Sequence, residues 1–161
     1  MLRLPESSDE EGYRRVFLRT EVNAWLRPPP FAPLTAADAA GMLRDDLRQW
    51  REHGFGPWAV VDEESGALVG RAGLRETRVG GEPMVELAWT VDPDYHGRGL
   101  ATEAALAGIE LAREVGLEEI VALALPANTA SRRVAEKAGM ELVGEVEHAG
   151  LTHVLYRLRL A

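Results

Sequence analysis

The clearest alternation of apolar and polar positions lies between Val85 and Val91. Val85, Leu87, Trp89 and Val91 share one face and Glu86, Ala88 and Thr90 the other, the period-two pattern of a strand. A turn over Asp92–Gly99 follows, and the period then lengthens. Ala101, Ala105, Ile109 and Ala112 form the apolar stripe of a helix from about Gly97 to Val115. The run "EIVALAL" predicts a short central strand, and Thr129–Ala138 a short helix stopped by Gly139. "ELVGEVEH" and "THVLYRLRL" predict two strands around a turn at Ala149-Gly150. Upstream, Asp9 to about Glu21 reads as a helix with Ser8 as a cap. Thr35 caps a longer helix with Ala39, Leu43, Leu47 and Trp50 on one face and Gly54 at its end. "WAVVDEESGALVGRAGL" reads as a hairpin around Glu64-Ser65-Gly66, and Gly80-Gly81 marks the next turn.

Helices, then antiparallel strands, then strand–helix–strand–helix–strands predict a mixed α+β fold with at least one crossover between parallel strands. The length, 161 residues, suits a single domain spanning 1–161 with a sizeable core. The triple proline in "RPPPFAP", Arg27 to Pro33, separates two helices rather than two domains. No apolar run approaches the roughly 20 residues needed to cross a bilayer, so neither a membrane partner nor a signal segment is expected, and a cytoplasmic location is. The net charge of −8 argues against nucleic acid as a partner and suits either a cationic partner or plain solubility. The absence of cysteine removes disulfides, cysteine metal sites and a thiol nucleophile. His148 and His153 flank the last hairpin turn without an evident third ligand, so no metal is expected and the two read as surface or cleft lining.

Chemistry concentrates in "VDPDYHGRGLATEA", Val91 to Ala104. A helix N-terminus leaves about four backbone N–H groups without intrahelical partners, and its dipole adds roughly half a positive charge. Gly97 and Gly99 let an anion approach the backbone, Arg98 adds a cation, and Thr102 adds a donor after Leu100 and Ala101. The arrangement suits a diphosphate, although "GRG" alone fits equally well as a tight strand-to-helix turn. Neither common nucleotide loop matches. No lysine follows for the phosphate loop, and position 102 is Thr where a dinucleotide fingerprint has its third glycine.

About 25 residues downstream comes "PANTASRRVAEKAGMELVGE". Together with "DPDYHGRGLATEA" it resembles the GCN5-related N-acetyltransferases, and among them the branch of RimJ/RimL-type ribosomal-protein N-terminal acetyltransferases. "HGFGPWAVVDEESGALVGRAGL" resembles the front half of the same domain, so the resemblance covers nearly the whole chain. It implies a mostly antiparallel, twisted sheet flanked by helices and splayed between its two central strands, with a bulge as the usual means of opening. It implies acetyl-CoA as co-substrate. "HGRGLA" would hold the pyrophosphate, with His96 where the family has Gln or Arg and Ala101 in the last slot. Trp89, Thr90 and Val91 would offer backbone groups to the pantetheine arm, and Asn128 would both cap the short helix and donate to a pantetheine carbonyl. The tyrosine many relatives use to protonate the leaving thiolate is replaced by Ala135, and Ser131 takes that role in this reading.

The implied reaction is direct attack of a primary amine on the thioester. A lysine amine is unprotonated only about one part in a few thousand at neutral pH, an α-amine roughly one part in seven. Glu86 is the candidate general base, through a water, and reads equally well as an ordinary sheet-face carboxylate. Trp25, Phe31, Phe55 and Trp58 either line an acceptor pocket or simply pack. The expectation is an N-acetyltransferase acting on a protein N-terminal α-amine, or on a small-molecule amine or antibiotic, with a non-catalytic acyl-CoA-binding module as the competing class. The C-terminal edge strands suit a homodimer.

Overall fold

The structure is a computed structural model that describes residues 1–160. A two-residue strand β1 (Leu2–Arg3) and a 3-10 turn (Ser7–Asp9) lead into helices α1 (Glu10–Phe17), α2 (Thr20–Leu26) and α3 (Ala36–His53). Strands β2 (Pro57–Val61), β3 (Leu68–Val79) and β4 (Glu82–Val91) follow, then a 3-10 turn (Pro93–Tyr95) and helix α4 (Leu100–Glu114). β5 (Glu119–Ala124), α5 (Thr129–Lys137), β6 (Glu141–His148) and β7 (Leu151–Arg159) complete the fold. The seven strands form one sheet in the order β1-β2-β3-β4-β5-β7-β6, antiparallel at every junction but one. β4 and β5 run parallel, joined by the crossover through α4.

Two apolar layers hold the sheet. On one face Leu74, Leu87, Ile120, Ala122 and Tyr156 pack against Ala105, Ile109 and Ala112 of α4 and Ala135 of α5. The contact is close: a Cβ added at Gly108 would stand 2.5 Å from Leu87 Cδ1, so glycine sets the α4–β4 spacing. On the other face Tyr13, Val16, Phe17, Ala39 and Leu43 from α1 and α3 cover Ala59, Val61 and Leu68. At about 25 cal/mol per Å², each fully buried Leu, Ile or Phe favours this arrangement by roughly 1.5–3 kcal/mol relative to exposure.

Several local expectations change. The helix predicted over Asp9–Glu21 is two helices with a break at Leu18–Arg19, and its start is shaped by a Glu6–Asp9 capping box rather than by Ser8. The helix after the glycine turn begins at Leu100, because Gly97 and Gly99 hold positive φ of 79° and 74°. Thr35 and Gly54 bound α3 as expected, Thr35 accepting from the Asp38 amide and Gly54 taking φ 73°. Phe55 is buried and packs in the α4-side core.

Among the described residues no helix is long and apolar enough to cross a membrane.

Candidate active site

β4 and β5 pair at one position only, Glu86 with Val121, although β4 runs on to Val91 and β5 to Ala124. The two central strands therefore part over their C-terminal halves. No bulge makes this opening, since the β3–β4 register is continuous from Gly70–Val91 to Val79–Glu82. The Asp92 amide donates to the Val69 carbonyl, which fixes the hydrogen-bonded positions of that ladder. By alternation, the main-chain groups of Thr90 face β3 and those of Trp89 and Val91 face the gap. Of the three backbone candidates, Trp89 and the Val91 N–H thus present an unzipped strand edge, the Val91 carbonyl accepting from His96 Nε2, while Thr90 is engaged opposite Arg71. The Trp89 side chain packs on the α4 side, with Nε1 buried and without a partner.

Just beyond β4 the chain turns into α4. Past the His96 amide, the next amide with a protein acceptor is that of Glu103, which donates to the Gly99 carbonyl. The intervening N–H groups, Gly97 to Thr102, lie at the positive end of a 15-residue helix whose N-cap, Gly99, supplies no side-chain cap. A Cβ added at Gly97 or Gly99 would meet nothing within 4 Å, so open space lies beside both. An L side chain at either would cost roughly 1–2 kcal/mol in the left-handed region and would intrude into that space. The cradle fits a diphosphate. The side chains nearby are otherwise occupied. His96 Nε2 donates to the Val91 carbonyl at 2.8 Å, and the Arg98 guanidinium lies 4.9 Å from the Tyr95 ring centroid.

Because β4 and β5 are parallel, the loop after β5 ends on the same side of the gap. Open α/β sheets hold ligands outside the carboxyl ends of such strands. Asn128 caps α5, its Oδ1 accepting the Ser131 amide at 3.2 Å. Its Nδ2 makes no bond among the described residues, nor does the Ser131 hydroxyl. Ala135 is fully buried in the α4-side core, so no hydroxyl reaches the gap from that position.

The opposite face of β4 carries Glu86, the expected base. Glu86, half-buried, stands opposite Arg75, with Arg71 further along β3. The Arg71 guanidinium is buried against Asp46 of α3, its Nε and Nη2 donating at 2.6 and 2.5 Å, and the Tyr13 hydroxyl donates to the same carboxylate at 2.5 Å. Burial works against the Arg71 charge, but Asp46 outweighs it and holds the guanidinium above its ordinary pKa. The Tyr13 phenol is pushed up, first by burial and then by the Asp46 charge. This triad was missed from the sequence. Its signal was a carboxylate at position 46, three residues after Leu43 and four before Trp50, inside an apolar stripe. The β6–β7 turn closes this side: a Cβ at Gly150 would stand 3.1 Å from the Phe31 ring, so the turn abuts the loop after α2. His148 and His153 belong here too, their rings edge to face with centroids 5.4 Å apart. Among the described residues no cluster of His, Asp or Glu could hold a metal ion.

Residues 1–141 match the family model described as an acetyltransferase (GNAT) domain. The uncharacterized N-acetyltransferase YnaD of Bacillus subtilis is 40% identical over 65 residues, 40% of this chain and 38% of that protein. The chain spans about half or less of the length of the curated relatives it matches. A GnaT-family acetyltransferase structure from Bordetella pertussis superposes with TM-score 0.80 at 27% identity, covering 97% of this chain and 93% of that one. The fold is shared with YncA of Salmonella typhimurium, described with its cofactor acetyl-CoA, at TM-score 0.77 and 21% identity over 100% of this chain and 94% of that one. With an opened parallel strand pair, a glycine cradle at its end and a family match over residues 1–141, the chain belongs to the GNAT acetyltransferase family.

Proposed function

We propose that the chain is an acetyl-CoA-dependent N-acetyltransferase that acetylates a primary amine by direct attack in a ternary complex, with a protein N-terminal α-amine as acceptor, as in enzymes of RimJ/RimL type. The observation that carries this reading is the run of unpartnered amides from Gly97 to Thr102 beside the opened edge of β4. Those amides and the α4 dipole receive the diphosphate. The main-chain groups of Trp89 and the Val91 N–H pair with the pantetheine arm as an added strand would, and Asn128 Nδ2 donates to one of its carbonyls. The thioester then lies between the two sheet faces, within reach of an amine entering beside Glu86.

Glu86 attracts the incoming ammonium and takes up its proton through a water, and the freed amine attacks the thioester carbon. The C–S bond breaks with its electron pair going to sulfur, and the thiolate takes up the proton that the new amide nitrogen sheds, with the Ser131 hydroxyl donating to the sulfur and relaying that proton. Positioning of the two substrates supplies much of the remaining acceleration. An α-amine suits this site because about one molecule in seven already carries the free base at neutral pH, which asks less of the base than a lysine would.

The test follows free thiol as the protein meets acetyl-CoA and a panel of peptides, lysine-blocked or N-terminally blocked, and aminoglycosides. Release is expected with free α-amines. Glu86→Gln is expected to bind acetyl-CoA as the wild type does and to lose about 10²-fold in kcat/KM for the acceptor. Binding without release across the whole panel would make the protein an acyl-CoA-binding module instead.

A further inference from the structure

We propose that the His148–His153 pair at the end of the last hairpin is the terminal proton acceptor of the acceptor cleft, His148 taking the proton that the attacking amine gives up. The inference rests on the acetyltransferase reading above and adds a residue role to it.

The placement follows from the register. His148 pairs with Leu151 and Val146 with His153, so these four share one face of β6–β7. Leu155 continues that face and pairs with Leu123 of β5. Leu123 shares a face of β5 with Val121, the partner of Glu86. Tyr156 and Val154 point the other way, into the α4-side core. The imidazoles therefore stand on the Glu86 side of the sheet, under the turn that abuts Phe31.

The proton inventory favours acceptance. His153 Nδ1 donates to the Leu151 carbonyl at 3.0 Å, and its Nε2 meets no protein partner among the described residues. His148 is half-buried and bonds to no protein group among the described residues. Three charged or titratable groups face it: Glu86 from β4, Arg75 from β3 and His153 from β7. Burial, aided by Arg75 and His153, holds its pKa below the ordinary 6.5 against the opposing pull of Glu86. The ring is thus uncharged at neutrality and ready to accept. In the balanced step, the ammonium loses one proton to Glu86 through water and on to His148. The amine nitrogen forms the C–N bond as the C–S bond breaks with its pair going to sulfur, the nitrogen's second proton passes to the thiolate to leave a neutral amide and the free thiol, and the imidazolium returns its proton to solvent.

The experiment measures kcat/KM for an acceptor peptide from about pH 5 to about pH 9 in wild type, His148→Ala and His148→Asn, with and without added imidazole. Acetyl-CoA affinity is measured alongside. The wild type is expected to lose activity as pH falls through the folded His148 pKa, below 6.5. Both variants are expected to keep acetyl-CoA affinity, lose about 10²-fold at neutral pH and lose that acid limb, and His148→Ala is expected to recover activity with imidazole. His148→Asn reads the same role should the smaller side chain disturb the hairpin. Unchanged rates and profile in the variants, or a loss that imidazole does not relieve, overturn the proposal while wild-type turnover stands. Absence of wild-type turnover with every amine removes the acetyltransferase reading and this role together.

Discussion

Asp46 has no solvent exposure, yet it accepts two hydrogen bonds from Arg71 and one from Tyr13. Removing one partner of a buried charge pair leaves the other uncompensated, at a cost of about 3–5 kcal/mol. Asp46→Ala is therefore expected to lower stability by that order in urea melts, with the Arg71 charge stranded behind the acceptor face. A loss under 1 kcal/mol would mean that water reaches the site. The same triad marks a boundary of what residues disclose in sequence. Gly97 and Gly99 are legible because their role is local, a positive φ at a helix start. The position of Asp46 in an apolar stripe was a hint, but its burial is decided by Arg71, 25 residues away on another element. The histidine pair was legible only as two residues flanking a turn. Its face depends on how β7 pairs with β5.

At the scale of elements, the break between α1 and α2 gains a purpose. Arg19 sits in it and reaches Asp92 at 2.5 Å and Asp94 at 3.0 Å, the residues that lead into the glycine cradle. Asp92 is buried and also accepts the Asp94 amide at 2.9 Å. The junction of α1 and α2 is thereby tied to the loop expected to hold diphosphate. Arg19→Ala is expected to raise KM for acetyl-CoA about tenfold, with kcat little changed. An unchanged KM would leave the tether without a role in cofactor binding. No proline or glycine marks the Leu18–Arg19 break, so the pattern reads as one continuous helix, and β1, two residues long, carries no period at all. The longer elements, α3, α4 and β2 through β7, were legible because their periods and terminators are strong.

For the whole molecule, chain order cannot say that β7 inserts between β5 and β6, because that arrangement depends on pairings far apart in sequence. The opened β4–β5 pair was expected from family resemblance, and the structure supplies a different means: two parallel strands that meet at Glu86–Val121 and then diverge, with no bulge against β3. That divergence and the turn after it make a groove in which the amides from Gly97 to Thr102 lack protein partners among the described residues, and the functional reading depends on what fills it. The most direct measurement is calorimetric titration of the protein with CoA and, separately, with pantetheine, which lacks the diphosphate. One-to-one association with CoA is expected, with at least a tenfold weaker response to pantetheine, about 1.4 kcal/mol or more carried by the diphosphate and the nucleoside beyond it together. No association with CoA, or equal affinity for the two, would contradict it.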